Sequence, residues 1–443
     1  MTSADSQRRR VAITGMGVIC PLGNSTDSLW DALSTGRSGV ETLSQFPPLA
    51  EHVVFGGEAR EFNNSIDNFG DLSKDRKKAI RKALKVMCRE TMMAVAAAQH
   101  AVSDAGYGEQ PMAPERSGVV FGSDYMLSPP DDFIDGMTKC DATTGQLDYQ
   151  RWGSDGLREM NPLWMLKYLP NMPGSHIAIF NDLRGPNNSL TLREISGLMA
   201  IREASQTIAR GHADQMIAGA TGTRIHSFKT IHAMQNEQLA DPRSAPAEAS
   251  RPFDANRTGM VIGEGAGAVL LEEMTQARQR GATIYGEILG TGSSTVTDAN
   301  LQGQPITAMT QAAKSSLAEA QIPIAQIGHI NAHGLGTTRC DLAEAQVLQE
   351  VLGQHSKTIP LIAVKSYFGN LGAGGGMVEF AASLLALQHD RLFQTLNFES
   401  PDPEAAPLAV TTTGDLSPGN SFLKLNVTPQ AQAAALVVSR VDD

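Results

Sequence analysis

Four cysteines could carry thiol chemistry in this chain: Cys20, Cys88, Cys140 and Cys340. Their scatter excludes most of it. No two stand as C-x-x-C and none has a close histidine partner, so neither a zinc ribbon nor a disulfide scaffold is expected. A reducing, cytoplasmic setting fits this pattern. The glycines at 369, 372 and 374–376 invite comparison with a phosphate cradle. No Lys-Ser/Thr follows them and dinucleotide spacing is absent, so they are read as places of close backbone packing. Arg8-Arg9-Arg10 ahead of VAITGMGVIC imitates a secretory leader. The apolar run is short, is broken by Gly15 and Gly17, and has no small-residue cleavage site, so a buried strand after a polar tail is expected.

The elements that must position any chemistry are bounded by size and charge. The chain has 443 residues, 41% of them hydrophobic, which is enough for one large domain or two of about 200 residues. A formal net charge of −11 speaks against a nucleic-acid binder. No run approaches ~18 consecutive apolar residues, so no transmembrane span is expected.

Short apolar runs alternate with helical patterns. VAITGMGVI (11–19) reads as a buried strand ending in a glycine turn, and 79–105 as a helix stopped by Gly106. SGVVFGS (117–123), SHIAIF (175–180), ADQMIAGA (213–220) and AGAVLLE (266–272) read as strands, and 197–210 as a helix. The alternation predicts a mostly parallel sheet covered by helices. The order then repeats. ATIYGEILGTG (282–292), the helix 305–322 and GHINAHG (328–334) follow the opening. IAVKS (362–366), the glycine-rich loop and helix 377–388 follow 175–210. The chain is therefore divided into halves at 1–273 and 274–443, with an insertion at 124–174 and with loops of both halves meeting at one centre.

On several of these segments the chain resembles the elongating β-ketoacyl-acyl-carrier-protein synthases of the thiolase superfamily. They are RVAITGMGVICPLGNSTDSLWDALSTGRSGV at the start, LPNMPGSHIAIFNDLRGPN (169–187), GHADQMIAGAT (211–221), RPFDANRTGMVIGEGAGAVLLEE (251–273), HINAHGLGTTRCDLAEAQ (329–346) and AVKSYFGNLGAGGG (363–376). The matches run in order over essentially the whole chain. The resemblance implies a thiolase fold, α/β, in a duplicated layered α-β-α-β-α architecture. It also implies a dimer and a role in fatty-acid or polyketide biosynthesis. No dissociable cofactor is implied, because acyl groups arrive on the phosphopantetheine of an acyl carrier protein. In such enzymes a cysteine at a helix N-terminus holds the acyl group. Two histidines stabilise an enolate oxygen, and a lysine and acidic residues hold that network.

Carried over residue by residue, the nucleophile's position falls on Glu194 in SLTLREISG (189–197). The first histidine is His333, with Asp341 and Glu344 eight and eleven residues on. Lys365 matches the lysine, and Asn370 takes the second histidine's place. Thr337 keeps one of two threonines, Leu335 replacing the other. Asn420-Ser421-Phe422 fit the C-terminal motif, with Lys424 where a gating phenylalanine is expected. Thr337, Phe422 and Lys424 are thus the substrate-binding candidates. Cys340 is read as a packed thiol.

A carboxylate attacking a thioester would give a hydrolysable anhydride, so Glu194 cannot stand in for the cysteine. At a helix N-terminus its charge is comfortable and would repel malonate's carboxylate. The asparagine amide can still donate where the second histidine is lost. One reading is therefore a non-elongating, chain-length-factor-like subunit paired with a cysteine-bearing ketosynthase. Another is a malonyl- or acyl-thioester decarboxylase or hydrolase using Glu194 and His333. A third is an active 3-oxoacyl synthase. A structural role for Glu194 would take an ion pair with Arg193, Lys424 or Lys365, and Lys365 is expected to pair with Glu344. Glu194, His333 and Asn370 are too poor a ligand set for a metal, and none is expected.

Overall fold

The computed structural model describes residues 9–44, 52–108, 112–141 and 145–441. The ten-stranded sheet takes five strands from the first part of the chain: Val11–Ile19 (β1), Ser117–Ser123 (β2), Asn187–Thr191 (β3), Gln215–Thr223 (β4) and Glu264–Glu273 (β5). Five follow: Gly286–Thr295 (β6), His329–Asn331 (β7), Leu361–Ile362 (β8), Ser421–Val427 (β9) and Gln432–Ser439 (β10). They are hydrogen-bonded in the order β3-β2-β4-β5-β1-β6-β10-β9-β7-β8. Each set has the same internal order, third-second-fourth-fifth-first. The pairing pattern repeats too. The three outer strands of each set, third, second and fourth, are parallel, and the fifth and first add antiparallel. The sets join where β1 meets β6 through only two residue pairs, Ala12 with Glu287 and Ile13 with Gly286.

Helices complete the layers. Arg89–Asp104 (α1) covers β1, β4 and β5 of the first half, Met172–Asn181 (α2) packs on α1 and β2, and Pro305–Ala320 (α4) covers β6, β9 and β10 of the second. Ser196–Ala209 (α3) touches β2, β4 and β5 as well as β6 and β10, and Gly375–Gln388 (α6) touches β1, β4, β5, β7 and β9. α3 and α6 therefore lie between the halves, and Thr338–Leu352 (α5) packs outside against α4. The sequence of α6 explains its place. GGMVEFAASLLAL is buried at every position, as expected of a helix without a polar face.

The structure departs from the sequence reading in identifiable places. The sheet is mixed rather than mostly parallel, because the fifth strand of each half runs against both its neighbours. In the second half this strand is β10, the return strand of the C-terminal hairpin β9–β10. SHIAIF lies inside the helix α2, and the neighbouring strand is the polar-looking β3, an edge strand bonded only to β2. An edge strand has one unburied side, so apolar alternation is not required of it. The 79–105 helix is broken by a tight turn at 84–86 into Lys74–Ala83 and α1.

The glycines of VAITGMGVI and EILGTG do not end their strands. A side chain on Gly15 or Gly17 would meet the Ala101 or Ala97 carbonyl oxygens at 2.2 and 2.1 Å, and one on Gly290 or Gly292 those of Ser316 or Ala312 at 2.1 and 2.0 Å. A pair of glycines in the first strand of each half thus lets a helix backbone seat directly on the sheet. Gly17→Ala is expected to cost about 1–3 kcal/mol through forced separation of β1 and α1, read as a lower denaturant midpoint. Gly153→Ala, with nothing within 4 Å, is the control and should leave the midpoint nearly unchanged.

Candidate active site

The loops at the ends of both half-sheets converge on one buried polar centre. From the first half comes Glu194, in a tight turn at Arg193–Ile195 directly before α3. Arg193 holds a left-handed φ of 49°, which sets the turn's direction. Arg224 follows the last residue of β4. The second half supplies His333 after β7, Lys365 and Asn370 after β8, Glu379 on α6, and Lys424 and Asn426 on β9. Glu194, His333, Lys365, Asn370, Glu379 and Lys424 are each at most 2% exposed.

Arg224 Nη2 donates to Glu194 Oε1 in a short ion pair. Asn370 Nδ2 reaches the same oxygen at 3.3 Å, and Arg193 Nε lies 3.5 Å from Oε2. Glu237 closes the cluster, accepting from Arg193 at 2.7 Å and from Arg224 at 3.2 Å. Burial opposes ionisation of Glu194, but the Arg224 and Arg193 guanidiniums outweigh it and hold the carboxyl well below its usual range. Of the three ion-pair partners considered from the sequence, only Arg193 is used. Lys424 and Lys365 are committed elsewhere, and Arg224 takes the dominant place.

A second cluster surrounds Glu379. Lys365 Nζ lies 2.7 Å from one of its oxygens and Lys424 Nζ 2.5 Å from the other, with Asn426 donating at 3.1 Å. Burial resists ionisation of Glu379, yet the two ammonium groups pull its pKa down. Lys365 is therefore paired with Glu379, not with Glu344. The reason is orientation. Glu344 accepts from the backbone N–H groups of His333 and Gly334 at 2.7 and 2.8 Å, so its carboxylate faces the loop. Asp341, one turn earlier on α5, accepts from the N–H groups of Leu335, Gly336 and Phe253 at 3.0, 3.2 and 2.9 Å. The two acids clamp loop 333–336, and burial pushes Asp341 up to about 7.

Lys424, at the position of the expected gating phenylalanine, does not face open space. It is fully buried, donates to the carbonyl of Ala332 at 3.0 Å as well as to Glu379, and has its pKa drawn down to about 8 by burial. Phe422 is also fully buried, stacked on His329 and edge-on to Phe380. Thr337 stands at the N-cap position of α5, without a side-chain capping hydrogen bond, and is 7% exposed. Cys340 packs against the second half's core, and burial raises its thiol pKa far above the ordinary value.

The environment of His333 fixes its protonation. Lys365 Nζ, which can only donate, lies 3.3 Å from Nδ1, and Asn426 Nδ2 lies 3.0 Å from it. Nδ1 is thus the acceptor and the ring proton sits on Nε2. Burial, followed by Lys365, drives the pKa well below 6.5, so the ring is a neutral N–H donor. That is the form able to stabilise a developing oxyanion without giving up its proton.

Glu379, Asn426 and Arg224 were missed from the sequence. A lone acid in the otherwise apolar helix MVEFAASLLALQ was a usable signal, because a buried charge demands a partner. Arg224 offered less, as a base closing a strand commonly faces solvent.

Comparison with known proteins follows the geometry. Residues 8–277 match the family described as Beta-ketoacyl synthase, N-terminal domain, and residues 285–399 match its C-terminal domain. The 3-oxoacyl-[acyl-carrier-protein] synthase 2 of Coxiella burnetii is 32% identical over 407 residues, covering 89% of this chain and 90% of that protein. A β-ketoacyl synthase from Burkholderia phymatum superposes with a TM-score of 0.83 at 27% identity, over 98% of this chain and all of that one. The ishigamide ketosynthase/chain length factor shares the fold at 23% identity, with a TM-score of 0.80 over 98% of this chain and 100% of that one. The chain belongs to the β-ketoacyl synthase family of fatty-acid and polyketide biosynthesis and has the thiolase fold. Among the described residues, no helix is long and apolar enough to cross a membrane.

The depressed pKa of His333 gives a pH prediction. As pH falls below about 6.5 the unfolded chain gains a proton there that the folded chain refuses, so stability is lost on acidification. His333→Asn should reduce the slope of unfolding free energy against pH below 6.5 by about 1.4 kcal/mol per pH unit. The remaining slope belongs to other buried groups such as His329, held down to about 4. Denaturant titrations of both proteins across this range check it.

Proposed function

We propose that this chain is a non-elongating member of its family, a subunit that pairs with a cysteine-bearing ketosynthase and helps to shape the acyl tunnel. The observation that carries the reading is the state of Glu194. At the position the family resemblance assigns to the nucleophile stands an ionised carboxylate immobilised by Arg224, Arg193 and Asn370. Such a group cannot tether an acyl chain, and its charge opposes the approach of malonate.

No cysteine offers a substitute. Burial pushes the Cys20 and Cys88 thiols up to about 12 and about 11, far from thiolate character at neutral pH. The hydrolase or decarboxylase reading needs Glu194 as a proton acceptor. A carboxylate held by two guanidiniums, with its pKa lowered, is a weak base for that task.

The chemistry left to the chain is scaffolding of the centre. His333 keeps a neutral Nε2–H, Asn370 an amide donor, and the Glu379 cluster holds both loops in place. Pairing is supported by the first half's surface. β3 is an open sheet edge, and Ile134, Met137, Leu157, Leu163, Met165 and Ile179 are exposed in the nearby insertion and α2. An acyl carrier protein would present substrate on the phosphopantetheine arm. The helix Lys74–Ala83 adds a basic patch able to attract its phosphodiester, with Lys74, Lys78, Arg81 and Lys82 exposed.

Reconstitution tests this. The purified chain with acyl- and malonyl-carrier proteins should form no elongated product. Co-expression with its cysteine-bearing ketosynthase should give a stable complex that does. Glu194→Gln should leave the complex's turnover within about threefold, because the residue takes no chemical part; a loss above about 10³-fold would assign it a chemical role. Elongation by the isolated chain would contradict the reading outright.

A further inference from the structure

We propose that Arg224, Arg193 and the Asn370 amide form a receptor for a small monocarboxylate, and that the side chain of Glu194 is its built-in occupant. The proposal stands on the donor set and does not depend on subunit pairing.

The donors come from separate parts of the chain: a strand end, a turn and the loop after β8. Arg224 is 1% exposed and is held independently of Glu194, since its Nη1 also reaches Glu237 at 3.2 Å. Arg193 is likewise held by Glu237 at 2.7 Å, and Asn370 by the Gly372 N–H, which donates to its Oδ1 at 3.0 Å. Shortening Glu194 would therefore leave the donors in place and remove the carboxylate that Arg224 Nη2 serves. A buried guanidinium N–H without an acceptor is costly, so an external carboxylate is drawn in.

A second observation shows spare donor capacity. Arg224 Nε is buried without a hydrogen-bond partner, and Arg193 Nε faces Glu194 Oε2 only as an ion pair at 3.5 Å, too long to be a hydrogen bond. The site holds more donor N–H groups than the tethered glutamate satisfies by hydrogen bonds. Its charge sets the selectivity. Glu237 contacts Arg224 directly, and Asp124, buried with an unpartnered Oδ2, acts on the same guanidinium. These negative neighbours admit a single carboxylate and oppose a dianion.

Size sets the rest. Glu194→Ala deletes one methylene and one carboxylate, the heavy atoms of acetate. Glu194→Gly deletes the heavy atoms of propionate. In the native chain the tethered carboxylate excludes free acids through its high effective concentration.

The test is thermal unfolding of the full chain in sodium acetate against sodium chloride of equal ionic strength. For Glu194→Ala, a saturable rise of about 2–4 °C is expected by about 100 mM acetate. The native chain, Glu194→Gln and the double variant Glu194→Ala/Arg224→Met should show no acetate-specific rise. Malonate should not replace acetate, and propionate should serve Glu194→Gly at least as well. If Glu194→Ala does not fold in chloride, the readout becomes its refolding yield, which should be higher in acetate. Equal melting in both salts, equal yields in both (including none in either), or an acetate effect that survives Arg224→Met overturns the proposal.

Discussion

A carboxylate closed off from water needs a cation, and the pairing of Glu194 with Arg224 meets that need at the point where the two halves of the molecule face each other. Glu194 alone, at 2% exposure, would be forced to take up a proton. With Arg224 and Arg193 beside it, the charged form is retained, and Glu237 balances the second guanidinium. Breaking such a pair on one side leaves the other charge stranded, typically at about 3–5 kcal/mol. The identities of residues 193, 194, 224 and 237 are therefore coupled.

The same logic governs the second half. Glu379 lies between Lys365 and Lys424, and this triad, with Asn426, sets the tautomer of His333. The two clusters touch through their fields, since the charge of Glu194 acts on His333 and that of Lys365 opposes its protonation. The result is a centre whose polar scaffold is assembled around a buried anion at residue 194. Two helices between the halves, α3 and α6, anchor the two acids: Glu194 directly precedes α3 and Glu379 sits on α6. The glycine pairs of β1 and β6 let the outer helices seat closely enough for the repeated sheets to form.

Much of this was legible in the sequence. The duplication could be read from repeated strand–helix order, because periodicity reports which face of an element is buried. His333, Asp341, Glu344, Lys365, Asn370 and Glu194 could be placed by family motifs, and the structure brings them to one region. Partners were harder. Lys365 was matched to Glu344 because the two belong to neighbouring motifs, yet Glu344 spends its oxygens on backbone N–H groups, and the acid that meets Lys365 sits on α6. SHIAIF looked like a strand because six apolar-rich residues carry no period long enough to tell strand from helix, while the true strand β3, lying at an edge, has no need of apolar residues. Lys424 was placed at the position of a gating phenylalanine, as a substrate-binding candidate, because its sequence neighbours were motif residues. Only the antiparallel return of β9 and β10 shows that its strand is internal and its ammonium committed to Glu379.

The account rests on Glu194 being charged and held. Isotope-edited infrared difference spectroscopy, with labelled glutamate and Glu194→Gln as the reference, reports its protonation directly. The account predicts a carboxylate signal for residue 194 at neutral pH that persists as the pH is lowered through 4.5, the ordinary value for this side chain, and that responds to Arg224→Met. A protonated carboxyl signal at neutral pH, unaffected by Arg224→Met, would contradict it.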